Sequence, residues 1–305
     1  MLSPKVMTLL SVAKTRNFSR SAEELSLTQP AVSQHIKALE SELEVQVFNR
    51  SQKEPRLTEA GKIVVEYAKK MQALYTGLLQ EIEDEKRDVK RLTVGVTPTA
   101  ESSNISQILA MYGSEHPNLH ITIISDLLKN LYEKLRYNEI NLAIVEGTVS
   151  DPMFNSILLD TDYLVLAVAN NNPLAKKSMV TLGELKKERL ILRLPNSGTR
   201  RLFEESLKTS GDSIDSYNII LEVDNNNTIK ELVQSGFGVS IISKSACNDF
   251  VRAGRFKILP VENLSMIREI NIVYHRDFRH VDMLNDIANL YNDTVKKTGS
   301  VLAAT

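Results

Sequence analysis

Residues 17–40 read NFSRSAEELSLTQPAVSQHIKALE, and the way their apolar positions are spaced decides how the chain begins. Val32, Ile36 and Leu39, with Leu43 beyond, recur at steps of four, three and four, the spacing of one helix face. Thr28 is a natural cap for that helix, and Pro30 is tolerated in its first turn, where N–H groups have no helical partner. Gln29, Ser33, Gln34 and Lys37 are then left on the outward face. Upstream, Ser19 can cap a short helix that buries Phe18, Ala22 and Leu25 and runs to a tight turn at Ser26-Leu27. Further upstream, Ser3 and Pro4 open a first helix with Val6, Leu9, Leu10 and Ala13 on one side. A short helix, a tight turn and a helix with exposed polar residues near its start form a helix-turn-helix, whose second helix fits the major groove of DNA.

Downstream of Phe48, NRSQKEPRLT (49–58) holds Pro55 in a polar run and reads as a wing-like hairpin. From Thr58 to about Lys90 there is no proline. Ile63, Tyr67, Met71, Leu74, Leu78 and Ile82 repeat there every three or four residues, which predicts one long helix with a single apolar seam. A partner chain is the simplest cover for that seam; the alternative is packing on the C-terminal part of the same chain.

Beyond Arg91 short apolar runs alternate with helical stretches: LTVGV, HITIISD, INLAIVEG, YLVLAV, RLILRL, NIILEVD, GVSIIS and EINIVYH. This alternation predicts an α/β region with parallel or mixed sheets covered on both faces, large enough for two lobes with a cleft between them. Three helix starts in it are rich in hydroxyls or amides. TPTAESSN offers Thr97, Thr99, Ser102 and Ser103; PNSGTRRLF offers Ser197, Thr199 and Arg200; DNNNTIKEL offers Asn226 and Thr228. Free N–H groups and the helix dipole favour an anion at such ends, and Arg200 can add a bidentate contact to a carboxylate, sulfate or phosphate. Each hydroxyl alone is explained by capping. Three such starts together are better explained by a shared anion site. In SGFGVSIIS (235–243) the glycines read as structural, supplying backbone angles for a turn into a strand.

Of 305 residues, 42% are hydrophobic and 25% charged, the composition of a globular chain of more than one domain. The net charge of −1 hides a gradient. Residues 1–70 carry eleven lysines and arginines against eight glutamates, an excess of +3 that leaves −4 for residues 71–305. A polyanion-binding surface therefore belongs to the N-terminal part, with Lys37, Arg50, Lys53 and Arg56 suited to phosphates. Gln29 and Gln34 can pair with adenine and Ser33 with several base edges. A polar helix face is otherwise simply solvated; here the three helices, the wing and the basic excess coincide.

No apolar run or N-terminal signal points to a membrane or to secretion, so a cytoplasmic protein is expected. The HExxH, GxSxG, GxxxxGK[ST] and GxGxxG patterns are absent from the sequence, which argues against the corresponding enzymes. Cys247 is the lone cysteine, excluding an intramolecular disulfide. With His275 or His280 it would make a Cys–His nucleophile, but a small buried apolar role is the commoner fate. His35 is expected on or beside the DNA face, and His116 and His120 in a loop around Pro117. No metal site is expected.

Taken with Ser21-Ala22, Gln-Pro-Ala-Val-Ser (29–33), Leu39-Glu40, Phe48, Arg50 and Leu-Thr-Glu-Ala-Gly (57–61), the opening stretch resembles the winged helix-turn-helix of the LysR-type transcriptional regulators. The similarity extends through the long helix to a C-terminal half resembling a periplasmic-binding-protein-like effector domain. It implies a DNA-binding domain over 1–58 whose contacts include Pro30, a dimerisation helix over 59–90 and an effector domain over 91–305. Within the last, lobe I would comprise 91–162 and 267–305, and lobe II 163–266. It also implies a dimer to tetramer, a partly palindromic double-stranded operator, RNA polymerase as a partner, no enzymatic activity and no cofactor. The effector would be a small organic or inorganic anion in the cleft, contacted by the residues above and by Thr148. The rival is a solute-binding or enzymatic α/β protein whose N-terminal helices only dimerise. One position departs from the family: Glu44 stands where glycine usually ends the third helix. A left-handed residue there costs about 1 kcal/mol more than glycine, which leaves the helix end open.

Overall fold

The computed structural model describes residues 2–49, 54–87, 89–101, 105–147 and 149–302. The chain forms two compact units, Met1–Val89 with Arg136–Glu139, and Lys90–Leu135 with Ile140–Thr305.

The first unit opens with α1 (Pro4–Thr15), α2 (Phe18–Glu24) and α3 (Gln29–Glu42). Ser3 caps α1 by accepting from the Lys5 N–H, with Pro4 next to it at the helix start. The cap of α2 is Asn17, not Ser19: its side-chain oxygen accepts from the Arg20 N–H at 3.0 Å. Asn17 is the last extended residue before the helix, whereas Ser19 already lies in the first turn. Ser26, at φ 55°, makes the turn into α3, and the Leu27 N–H closes it on the Ala22 carbonyl at 2.8 Å. Thr28 caps α3.

Val32, Ile36 and Leu39 form the buried stripe of α3 as their spacing predicts, but Leu43 lies outside it and is exposed. Leu43 is the C-cap beyond the last helical residue, Glu42; its N–H still donates to the Leu39 carbonyl at 3.0 Å, but its side chain is not covered by the core. Glu44 adopts φ 54°, and the Val45 N–H returns to the Glu40 carbonyl at 3.1 Å. The helix thus ends with the left-handed cap that glycine usually supplies.

β1 (Phe48–Asn49) and β2 (Arg56–Leu57) pair antiparallel as the base of the wing. The Glu40 carboxylate fixes its entry by accepting from the Val47 and Phe48 N–H groups at 2.9 and 3.2 Å. Leu9, Val12, Ala22, Val32, Ile36, Leu39, Val47 and Phe48 close one core with Val65 and Ala68 of α4 (Glu59–Arg87). Phe18 meets Phe48 edge to face at 6.0 Å.

Gly61 is the tight point of this unit. A methyl group there would stand 2.1 Å from the Val47 carbonyl oxygen. The same junction is tied by Thr58, whose N–H donates to Val47 O and whose hydroxyl accepts from the Gly61 N–H at 2.8 Å.

The second unit runs through β3 (Lys90–Val96), α5 (Pro98–Glu101), α6 (Ile105–Glu115), β4 (Leu119–Ser125), α7 (Leu128–Arg136), β5 (Leu142–Glu146) and β6 (Phe154–Ala169). It continues through α8 (Leu182–Leu185), β7 (Arg189–Arg193), α9 (Gly198–Thr209), β8 (Asn218–Val223), α10 (Asn226–Gln234), β9 (Ser240–Ser243), α11 (Lys244–Arg252) and β10 (Phe256–Leu259). β11 (Ile267–His275) and α12 (Val281–Leu302) complete it. His120 falls inside β4 and not in the loop expected for it.

β4, β3 and β5 pair parallel, and β11 joins β5 antiparallel. β6 is longer than its apolar run from Tyr163 suggests. It begins at Phe154, pairs with β11 as far as Tyr163↔Ile267, and then continues from Leu164 against β9 and β10. One strand therefore serves two half-sheets. One half-sheet buries Leu92, Val94, Ile144 and Ile272 against Ile108 of α6 and Ile287 of α12, and on its other face Ala143 and Val273 lie with Leu131 of α7. Beside the other, β7 pairs parallel with β8 as a separate two-stranded sheet; Leu166 of β6 and Leu190 of β7 pack against Phe203 of α9, and on the second face Ile191 and Ile242 pack against Ile229 of α10 and Cys247 of α11. Apolar residues on both faces of each strand account for the near-continuous hydrophobic runs.

No helix among the described residues is long and apolar enough to cross a membrane.

Candidate functional site

On α3 the burial of Val32, Ile36 and Leu39 leaves Gln29, Pro30, Gln34 and Lys37 exposed, with Ser33 half-buried beside them. Gln29 Nε2 donates to Ser33 Oγ at 3.1 Å, one turn along the helix. Arg56 is exposed on β2, while Arg50 and Lys53 lie outside the described residues. His35 does not join this face. Its Nδ1 lies 2.9 Å from the Thr8 hydroxyl, and that hydroxyl donates to the Pro4 carbonyl. The single hydroxyl hydrogen is thereby used, so His35 Nδ1–H is the donor and the ring braces α1 against α3.

Along α4, Ile63, Tyr67, Met71, Leu74, Leu78 and Ile82 are each between 46% and 61% exposed. Gly61, Val65 and Ala68 occupy the buried side of the same helix. Six large apolar side chains in register on one helix form the kind of surface that marks an interface.

In the second unit a polar cluster lies where β6 passes from one half-sheet to the other. Asp162 and Arg268 are cross-strand partners there. Asp162 is held from several sides: it accepts from Arg268 Nη2 at 3.1 Å, from Ser243 Oγ at 2.5 Å and from both the N–H and the hydroxyl of Ser245. Arg268 Nη1 reaches Thr199 Oγ1 at 3.4 Å, and Nη2 lies 4.0 Å from Glu146 Oε1. The other Glu146 oxygen accepts from the Thr97 hydroxyl at 2.7 Å. At the end of β7, Arg193 Nη1 donates to Asn226 Oδ1 at 2.6 Å. Burial pulls Arg193 below the usual arginine range; Asp224 and Glu146 oppose this, and Arg268 reinforces it. Arg193 nevertheless stays a cation at neutral pH.

The hydroxyls singled out by sequence divide between two jobs. Ser197 caps α9 through the Arg200 N–H at 3.1 Å, and Thr97 caps α5 through the Ala100 N–H at 3.3 Å. Thr199 and Thr99 are buried; Thr199 takes the Arg268 contact. Asn225 caps α10, so Asn226 is buried against Arg193 while Thr228 is exposed. Ser102, Ser103 and Thr148 lie outside the described residues.

Arg200 differs from its expected role as a free anion contact. It is buried, and its Nε and Nη1 already face Glu204 Oε1 at 2.5 Å and Glu222 Oε1 at 3.2 Å. Two carboxylates on its own flank neutralise it, so its charge is not open to the cluster. The arginines that join the cluster, Arg193 and Arg268, were not picked out by sequence. Both sit in strands: Arg193 ends β7 two residues before the Pro195–Phe203 stretch without being part of it, and Arg268 lies near the start of β11.

A polar cavity of about 160 Å³ at the opposite end of β7, lined by Asn171, Asn172, Glu188 and Arg189, shares no residue with the cluster. Cys247 is fully buried in α11, and desolvation pushes its thiol up to about 12. A thiol so far from ionisation is no nucleophile at neutral pH. No group of three or more potential metal ligands occurs among the described residues.

Two families match this architecture in sequence order. Residues 5–62 match the bacterial regulatory helix-turn-helix protein family of lysR type, and residues 85–293 match the LysR substrate binding domain. An uncharacterized HTH-type transcriptional regulator of Methanocaldococcus jannaschii is 30% identical over 281 residues, 90% of this chain and 94% of that protein. The HTH-type transcriptional regulator CysL of Bacillus subtilis is 27% identical over 268 residues, 88% and 89% of the two chains. Among solved structures, full-length CbnR in complex with its target DNA shares the fold at a TM-score of 0.65 and 18% identity, over 95% of this chain and 98% of that one. The chain belongs to the LysR family of transcriptional regulators, a helix-turn-helix DNA-binding part followed by an effector-binding domain.

Proposed function

We propose that α3 reads operator DNA in the major groove through Gln29, Ser33 and Gln34, with Pro30 at its leading end and Lys37, Arg50, Lys53 and Arg56 on phosphates. The observation that carries this reading is the division of α3 into a buried Val32-Ile36-Leu39 stripe and an exposed Gln29-Pro30-Gln34-Lys37 face. In this proposal residues 1–58 are the DNA-binding domain and 59–90 the dimerisation helix, whose exposed seam meets a second copy. Two recognition helices then face successive major grooves, which calls for a partly palindromic operator. Pairs of dimers assemble as tetramers and act on RNA polymerase in the cytoplasm.

Residues 91–305 bind the effector, a small anion, between lobe I (91–162 and 267–305) and lobe II (163–266). The buried cations Arg193 and Arg268, together with Thr97, Thr99, Ser197, Thr199 and Asn226, support that placement. Ser102, Ser103, Thr148 and Thr228 complete the proposed lining, and Arg200 serves it only indirectly through the start of α9. The effector shifts the DNA-binding arms between two arrangements by binding one more tightly, since equal affinity would shift nothing.

Gln34→Ala is the test of the base-reading role. Operator affinity should fall by about 1–3 kcal/mol, with affinity for random DNA unchanged. Equal losses on both DNAs would remove Gln34 from base readout.

A further inference from the structure

The cluster around Arg193 and Arg268 restricts the ligand further than its being an anion, provided that it is the effector cleft as proposed above. Arg193 is 4% exposed and Arg268 8%, yet the Nε–H of each donates to nothing among the described residues. Glu146 presents the opposite need. Its side chain is 8% exposed, Oε2 is engaged by Thr97, and Oε1 accepts no hydrogen bond. Buried donors and acceptors are ordinarily satisfied, so two donors and one acceptor left in one cluster describe a complementary ligand. It has an oxygen-rich end for the arginines and a donor for Glu146.

Charge restricts the ligand as well. Arg193 and Arg268 are balanced by Glu146 and Asp162, so the four buried side chains sum to zero. The N-termini of α9, through Thr199, and α10, through Asn226, adjoin the two arginines. Each helix end contributes roughly half a positive charge, together about one. A monoanion brings the cluster to neutrality, whereas a dianion leaves a buried excess that Glu146 and the nearby Asp224 would repel.

We infer that the cleft selects a small monoanion carrying its own hydrogen-bond donor, an α-hydroxy acid type of ligand. Its carboxylate lies against Arg193 and Arg268, and its hydroxyl donates to Glu146 Oε1.

The test uses the full-length protein and titration calorimetry with glycolate, L-lactate, L-serine, propionate and succinate, on wild type and Glu146→Gln. The conservative variant keeps an oxygen for the Thr97 hydroxyl, and its unliganded thermal midpoint, within about 2 °C of wild type, verifies that it folds. Wild type should bind at least one donor-bearing monoanion about tenfold or more tightly than propionate, the scale of a hydrogen bond to a charged group. Succinate should bind no better than propionate. Glu146→Gln should shrink the preference for a donor to threefold or less. L-serine, a zwitterion of zero net charge, should bind more weakly than the better of the two hydroxy acids, and tighter binding of L-serine overturns the monoanion. Equal binding of propionate and the hydroxy acids, tighter binding of succinate, unchanged selectivity in Glu146→Gln, or no binding of any of the five at 10 mM each overturns the inference. Operator affinity measured on the same samples separates this from the regulator reading: its loss would sink that reading, while its retention with donor-indifferent binding sinks only the ligand assignment.

Discussion

The same substitution at two glycines of α4 should have opposite effects on stability. At Gly61 a methyl group would lie 2.1 Å from the Val47 oxygen, 2.9 Å from its carbonyl carbon and 3.2 Å from the Thr58 hydroxyl. The nearest atoms are backbone, held by the Thr58 N–H and by the Glu40 carboxylate at Val47 N. They cannot rotate away as a side chain would. Inserting a group into such packing costs about 1–3 kcal/mol, and the upper end applies here. Alanine recovers about 1 kcal/mol of helix propensity over glycine. Gly61→Ala should therefore destabilise the first unit by about 2 kcal/mol. At Gly77 the added methyl meets nothing within 4 Å, so only the propensity gain remains and Gly77→Ala should stabilise α4 by about 1 kcal/mol.

Native-state amide hydrogen exchange on the full chain reads both effects locally. The Val32, Ile36 and Leu39 amides of Gly61→Ala should lose about thirtyfold of their protection, and the amides around residue 77 of Gly77→Ala should gain about fivefold. Protection within twofold of wild type in Gly61→Ala would refute the packing argument. A loss at both positions would show that α4 is limited by something other than the Val47 approach.

Three further outcomes are expected. Because Glu44 holds φ 54°, Glu44→Gly should raise the denaturant midpoint by the equivalent of about 1 kcal/mol, and an unchanged or lower midpoint would show that Glu44 is not strained. Leu74 is 61% exposed on the α4 seam; Leu74→Asp should convert oligomer to monomer in analytical ultracentrifugation, and an unaltered sedimentation profile would exclude that seam as the interface. With its thiol at about 12 against an ordinary 9.0, Cys247 contributes stability that is intact below about pH 9 and lost as pH rises toward 12, because only the unfolded chain ionises there. The unfolding midpoint should fall across that window and fall less in Cys247→Ala; identical slopes would dismiss the thiol's contribution.

The legible parts of this chain are those whose physics is local. Val32, Ile36 and Leu39 announce a buried helix face within eight residues, and that face by itself determines which polar side chains point outward. The α4 seam reads the same way. Misreadings arise where two local devices compete. Asn17 and Ser19 are both competent caps, and the extended conformation of Asn17 decides between them. Leu43 has the right spacing but follows the last helical residue. Glu44 is the instructive case: on its own the residue argues against a left-handed cap, yet the Val45 N–H to Glu40 bond and the Glu40 carboxylate at β1 impose one. Tertiary contacts on either side override the preference of a single residue.

The cluster in the second unit was illegible for a different reason. Hydroxyl-rich helix starts are visible in sequence because they are contiguous, but most of their polar groups are consumed by capping, as at Ser197, Asn225 and Thr97. Arg268 meets Asp162 across 106 positions of sequence through a ladder whose strand changes partners one residue later. Nothing local specifies that register. The difference between the two ions then follows from their surroundings. Asp162 is fully engaged by Ser243, Ser245 and Arg268, so it can serve only as a fixed post. Arg268 retains a donor, and so does Arg193; leaving a buried donor unmet costs about 1–3 kcal/mol. A ligand that satisfies both recovers that cost only when the strands carrying Arg193 and Arg268, β7 and β11, are held in this arrangement. Binding and conformation are thereby coupled through the same atoms, which is the differential affinity that a ligand-controlled switch requires.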